Sequence, residues 1–80
     1  MRLDKFLKIS RLIKRRTVAN EACDNQRVTV NGRVAKASYD VKIGDIIEVR
    51  FGQKTLKVRV DEINEFATKN DAAGMYTELQ

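Results

Sequence analysis

Residues 27–34, Arg27-Val28-Thr29-Val30-Asn31-Gly32-Arg33-Val34, alternate polar and apolar side chains up to an Asn-Gly pair and then begin to alternate again. Period-two alternation is the pattern of a half-buried strand, and Asn-Gly suits the two positive-φ positions of a type I′ turn. The segment predicts a tight β-hairpin. It also divides the chain, because the pattern before it is helical and the pattern after it is again that of strands.

Upstream, Leu3, Phe6 and Leu7 fall at i, i+3 and i+4, one apolar face of a short helix, with Arg2, Lys5 and Lys8 together on the opposite face. Ile9 leaves that stripe, which places the helix end near it. Ser10 to Arg16 reads as a connector anchored by Leu12 and Ile13, with Arg11, Lys14, Arg15 and Arg16 outward. Thr17 is the expected N-cap of a second helix, with Val18, Ala19, Ala22 and Cys23 on its apolar side and Asn20, Glu21 and Asp24 on its wet side.

Downstream, Lys36 to Tyr39 reads as a loop and Val41 to Asp45 as a turn into a strand over Ile46 to Phe51. Gly52-Gln53-Lys54 turns the chain again, and Leu56, Val58 and Val60 alternate down a last strand. Ile47, Val49 and Phe51 are expected to share that strand's apolar face, while Glu48, Arg50, Lys57 and Arg59 occupy a wet one. The fold class is α+β: two N-terminal helices packed on a small twisted antiparallel sheet. Residues 1–60 form this unit. Residues 61–80 are an acidic extension in which Asp71 caps a short helix reaching Leu79, docked through Met75, Tyr76 and Leu79, or else a frayed tail. Gly74 weakens that helix by about 1 kcal/mol.

Charge is spread unevenly. Residues 1–16 hold seven basic side chains and one acid, Asp4, whereas residues 61–80 hold five acids and one lysine. A basic body on folded elements favours a phosphate-bearing partner. The chain has no histidine and a single cysteine, Cys23, so zinc sites and the usual general bases are missing. Catalysis is not expected, nor is any cofactor. Cys23 reads as a buried, inert thiol. With no long apolar run and no signal-peptide core, a cytoplasmic location is expected.

Four blocks, Arg2-Leu3-Asp4-Lys5-Phe6-Leu7, Lys14-Arg15-Arg16-Thr17, Val28 to Gly32, and Val41 with Gly44-Asp45-Ile46, resemble the S4 domain, a small RNA-binding motif, over roughly residues 1–51. The resemblance implies RNA contacts on the first helix and at the start of the second. Arg2 and Arg16 occupy the motif arginines; Lys5, Lys8, Arg11, Lys14 and Arg15 would add phosphate contacts. Asp4 also belongs to the motif, either as a helix-start acid or as a carboxylate that orients an arginine. The family usually has glycine where this chain has Gln26, so either Gln26 or Asn25 must end the second helix. Asn31 and Gly32 serve the turn, and Tyr39 is the only aromatic candidate for stacking on a base, a role less expected than readout of RNA shape.

Phe51-Gly52-Gln53-Lys54 and Ala72 to Thr77 make the chain similar to the branch of this family that acts in ribosome-associated quality control. That implies a monomer bound to large-subunit rRNA and P-site peptidyl-tRNA on stalled large subunits. It would support alanine tailing of the nascent chain by an elongation partner protein on the same subunit, with no membrane involved. Two other readings compete. One is the RNA-binding module of a modifying enzyme, for which eighty residues leave no catalytic domain. The other is a general basic adaptor for another structured RNA, an acidic protein or an anionic surface.

Overall fold

The structure, a computed structural model, describes residues 1–79; of the acidic 61–80 segment, Gln80 lies outside the described residues. Helix α1 (Leu3–Ile9) buries Leu3, Phe6 and Leu7 completely, as their spacing predicts. It ends where the stripe ends. The Ser10 N–H donates to Phe6 O at 2.9 Å, its hydroxyl donates to Leu7 O at 3.3 Å, and Arg11 then turns left-handed at φ 64°.

Helix α2 (Arg16–Asp24) begins one residue before Thr17, with Arg15 at the N-cap and no side-chain cap. Thr17 is thus an exposed residue of the first turn, which corrects the expected cap. Starting at Arg16 sets Arg16 and Asn20, four residues apart, on one side of the helix. The buried stripe is narrow, Ala19 and Cys23, and Val18 stays 44% exposed, contrary to expectation. Burial pushes the Cys23 thiol up to about 11, so it is inert at neutral pH as its position predicted.

The end of α2 resolves the question at Gln26. Gln26 is left-handed at φ 61°, while Asn25 keeps φ −87°. Its N–H donates to Cys23 O at 3.0 Å and the Arg27 N–H donates to Ala22 O at 2.9 Å, the two bonds of a Schellman ending.

Strands β1 (Val28–Val30) and β2 (Arg33–Val34) form the expected hairpin, with Val30 opposite Arg33 and positive φ at Asn31 and Gly32. With β3 (Ile46–Phe51), β4 (Lys54–Val60) and β5 (Tyr76–Leu79) they make one antiparallel sheet of order β2-β1-β3-β4-β5. Val28, Val30, Ile47, Val49, Val58 and Val60 line its inner face, at most 4% exposed, against the two helices. Phe51 alternates with them but is 44% exposed, at the end of β3, where it borders a hollow shared with Val18 and Ala22 of α2.

The C-terminal segment differs most from the sequence reading. Thr68, not Asp71, caps the short helix α3 (Lys69–Ala72), and its N–H and hydroxyl both donate to the Asp71 carboxylate at 3.1 Å. A 3₁₀ turn (Ala73–Met75) follows, and the chain then extends as β5 beside β4, with Tyr76 opposite Val60 and Leu79 opposite Lys57. The expected helix to Leu79 gives way for two reasons. Gly74 interrupts helical propensity, and the edge of β4 offers a row of backbone groups that a strand satisfies. Met75, fully buried, pins the junction, and its carbonyl accepts the N–H groups of Asp61 and Glu62.

The left-handed Gln26 yields a stability prediction. An L-residue there costs roughly 1–2 kcal/mol, partly offset in Gln26→Gly by the greater unfolded-state freedom of glycine. Urea titration of Gln26→Gly should show a gain of about 0.5–1 kcal/mol over the native chain.

Candidate nucleic-acid interface

The basic surface is organised around one buried acid. Asp4 lies in the first turn of α1, where the helix dipole favours a carboxylate, and is only 2% exposed. Its Oδ1 accepts the Lys5 N–H at 2.8 Å and Arg2 Nε at 3.1 Å. Its Oδ2 accepts Asn20 Nδ2 at 3.3 Å, Arg16 Nε at 3.4 Å and Arg2 Nη2 at 3.4 Å. Burial alone would raise this carboxyl. The hydrogen bonds from Arg2, Asn20 and Arg16 and the charge of Arg16 overcome that, and hold it below its ordinary 3.8.

The arrangement settles the two readings of Asp4, because it both starts the helix and orients arginines. It engages two of them. Arg2, the N-cap of α1, and Arg16, the first residue of α2, approach it through Nε, and their side chains remain 50% and 47% exposed. Two guanidinium groups on one carboxylate leave net positive charge where the helix starts converge. The terminal nitrogens of Arg16 are free to fork onto an oxyanion.

A backbone strap holds Asp4 in place. The Leu3 N–H donates to Tyr39 O at 2.8 Å, the Asp4 N–H to Ala37 O at 3.2 Å, and the Val41 N–H to Met1 O at 2.8 Å. The strap loop is braced by a second buried acid, Asp45, which accepts the Tyr39 hydroxyl and the Lys42 N–H at 2.9 Å and Asn31 Nδ2 at 3.0 Å. Tyr39, the one candidate for stacking on a base, has its hydroxyl committed to the loop and its ring packed against the core. Asn31 closes the hairpin and also accepts the Ile46 N–H at 2.9 Å through its side chain.

The remaining basic residues fall into two groups. Lys5 lies 3.6 Å from Glu65, so the C-terminal segment already neutralises part of its charge. Lys8, Arg11, Lys14 and Arg15 are exposed and have no acidic partner within 4 Å among the described residues. Asn20, which periodicity put on the wet side of α2, belongs to the Asp4 cluster. Its spacing of four from Arg16 was the available signal.

The S4 family model matches residues 1–47, which take in both helices, the hairpin and the strap loop. The chain belongs to the S4 domain family. The whole chain is 59% identical to the RQC P-site tRNA stabilizing factor of Bacillus subtilis over 80 residues, covering 100% of this chain and 93% of that one. The Streptococcus pneumoniae protein of the same name is 58% identical over 76 residues, 95% of this chain and 86% of that protein. Among solved structures, the S4 protein resembles Vibrio cholerae heat shock protein 15, with TM-score 0.90 and 31% identity, covering 99% of this chain and 81% of that one.

Removing the Asp4 charge should loosen the helix starts. Asp4→Asn is expected to lose about 1–3 kcal/mol of stability at neutral pH. Because the folded carboxyl titrates below its unfolded value, its contribution is full above about pH 5 and disappears as pH falls through the lowered folded value. Thermal melts of native and Asp4→Asn chains should therefore converge in acid.

Proposed function

We propose that this protein is a non-catalytic RNA-binding factor of ribosome-associated quality control. It binds large-subunit rRNA and P-site peptidyl-tRNA on stalled large subunits, and so supports alanine tailing of the nascent chain by an elongation partner on the same subunit. The observation that carries this reading is the Arg2–Asp4–Arg16 cluster at the meeting of two helix starts, in a chain matched end to end by a tRNA-stabilizing relative. Arg2 and Arg16 set orientation, held by Asp4. Lys5, Lys8, Arg11, Lys14 and Arg15 neutralise phosphates and release counterions, which gives affinity without sequence. With few aromatic residues available for stacking, readout is by the shape of folded RNA.

In this reading the factor works as a cytoplasmic monomer. Among the described residues no helix is long and apolar enough to cross a membrane, and no cluster of His, Cys, Asp and Glu could hold a metal. The RNA-binding unit is residues 1–60, braced by residues 61–79 through β5 and the Glu65–Lys5 pair.

Co-sedimentation should place the native chain on large subunits, with more bound when tRNA is retained on them. Recovery only with free RNA or with small subunits would contradict the pathway. Arg16→Ala and Arg2→Ala should each lose subunit binding while keeping a native circular dichroism spectrum, and undiminished binding by both would remove the assigned site. If about five phosphates are engaged, log affinity should fall against log salt with a slope of roughly −3.5 to −4.5.

A further inference from the structure

The sheet has a second cationic surface that the helix-start cluster does not explain. The β1–β3 register, Val28 opposite Val49, continues to Arg27 opposite Arg50, and the Arg50 N–H donates to Arg27 O at 2.9 Å. Val28 and Val49 are buried inward, so both arginines alternate to the outer face, and at its rim they also border a hollow shared with Val18, Glu21 and Ala22 of α2. Like charges directly opposite each other weaken a strand pair. The neighbouring cations on this face are offset: Lys57 lies 3.8 Å from Glu48 and Arg59 lies 2.9 Å from Asp61. Arg27 and Arg50 have no such partner among the described residues.

Of the three hollows that the two arginines border, two open on the sheet side, shallow spaces of about 190 and 320 Å³. The smaller is completed by Gln26, Thr29, Glu48 and Thr55, and the larger by Asn25 and Gly52. The Thr29 hydroxyl in the smaller hollow is buried and has no hydrogen-bond partner. Glu48 is the one acid in either hollow, and Lys57 stands beside it. Two adjacent guanidinium forks, amide side chains and a spare hydroxyl are the donor set of a phosphate site.

We infer that the outer face of the sheet, centred on Arg27 and Arg50, is a second RNA-backbone contact, back to back with the helix-start surface. An RNA strand is the occupant that the charge favours, and the inference rests on the proposed function for that choice. The two faces lie on opposite sides of the sheet, so they engage different RNA segments, and the small domain acts as a bridge between them. The like-charge pair is relieved when a phosphate sits between the two side chains.

The test follows the arginine Nε–H signals by NMR while a short generic RNA duplex is added to the full chain, alongside Arg27→Thr/Arg50→Thr and Arg2→Ala/Arg16→Ala double variants. Arg27 and Arg50 are expected to shift in the native chain and still to shift when Arg2 and Arg16 are replaced. The Arg27→Thr/Arg50→Thr chain should bind the duplex about tenfold more weakly, with a salt slope shallower by about 2, and melt at the same temperature or higher. Signals that move only on the helix face would overturn the inference. So would a double variant that melts lower with an unchanged slope, since the pair would then be structural. An acidic peptide, polyglutamate, that shifts Arg27 and Arg50 as strongly as RNA at equal salt would overturn RNA as the occupant. Movement of Arg27 and Arg50 without movement of Arg2 and Arg16 upholds this face and instead removes the helix-start site.

Discussion

A single buried carboxylate, Asp4, sets the geometry of the basic end of this molecule. An ionised group at 2% exposure is tolerated only when hydrogen bonds and opposite charge replace its lost water. Asp4 obtains these from one backbone N–H, one amide and two guanidinium groups, drawn from both helices. The requirement works in both directions. The acid needs its donors, and satisfying it fixes where the starts of α1 and α2 lie relative to each other. It also narrows the orientations of two long, otherwise mobile arginine side chains, which lowers the ordering cost of binding an anion.

Asp45 applies the same device to the loops. Its carboxylate gathers Asn31 of the hairpin turn, Tyr39 of the strap and the Lys42 backbone. The strap in turn pairs with the backbone of Met1, Leu3 and Asp4. The hairpin turn is therefore connected, through Asp45 and the strap, to the acid that aligns the arginines. Burial and several lowering hydrogen bonds act on both carboxyls, and both end below the ordinary value. Each ties together parts of the chain that local propensity alone would leave free.

The charge distribution then has a physical logic. Acids at Asp4, Glu48, Asp61 and Glu65 each stand beside a cation, which orients or partly neutralises it. Among the described residues eleven basic side chains have no acid within 4 Å; Lys8, Arg11, Lys14 and Arg15 lie on one side of the molecule and Arg27 with Arg50 on the other, while Arg33, Lys36, Lys42, Lys54 and Lys69 are spread elsewhere. The C-terminal segment, acidic as a sequence, contributes structure instead of repulsion: β5 covers the edge of β4, and Glu65 meets Lys5.

Much of this was legible residue by residue. The period-two alternation around Asn31-Gly32 gave the hairpin, the Leu3-Phe6-Leu7 stripe gave α1, and the S4-like blocks gave the fold class and the motif arginines. These are local or repeated signals, carried by spacing along the chain. What spacing could not supply were contacts between distant segments. Asn20 joining Asp4, Lys5 meeting Glu65, Tyr39 bracing Asp45, and Val18 and Phe51 left half bare all depend on how elements stack. The same holds at the C-terminus, where a weak helical pattern yielded to an open sheet edge that exists only once β4 has folded. The sequence by itself determined which elements form and where positive charge is concentrated, because propensity, turn chemistry and charge are properties of neighbouring residues. Only the tertiary structure decided which cations are aligned and which acids are spent aligning them, because the desolvation of Asp4 and Asp45 arises from packing.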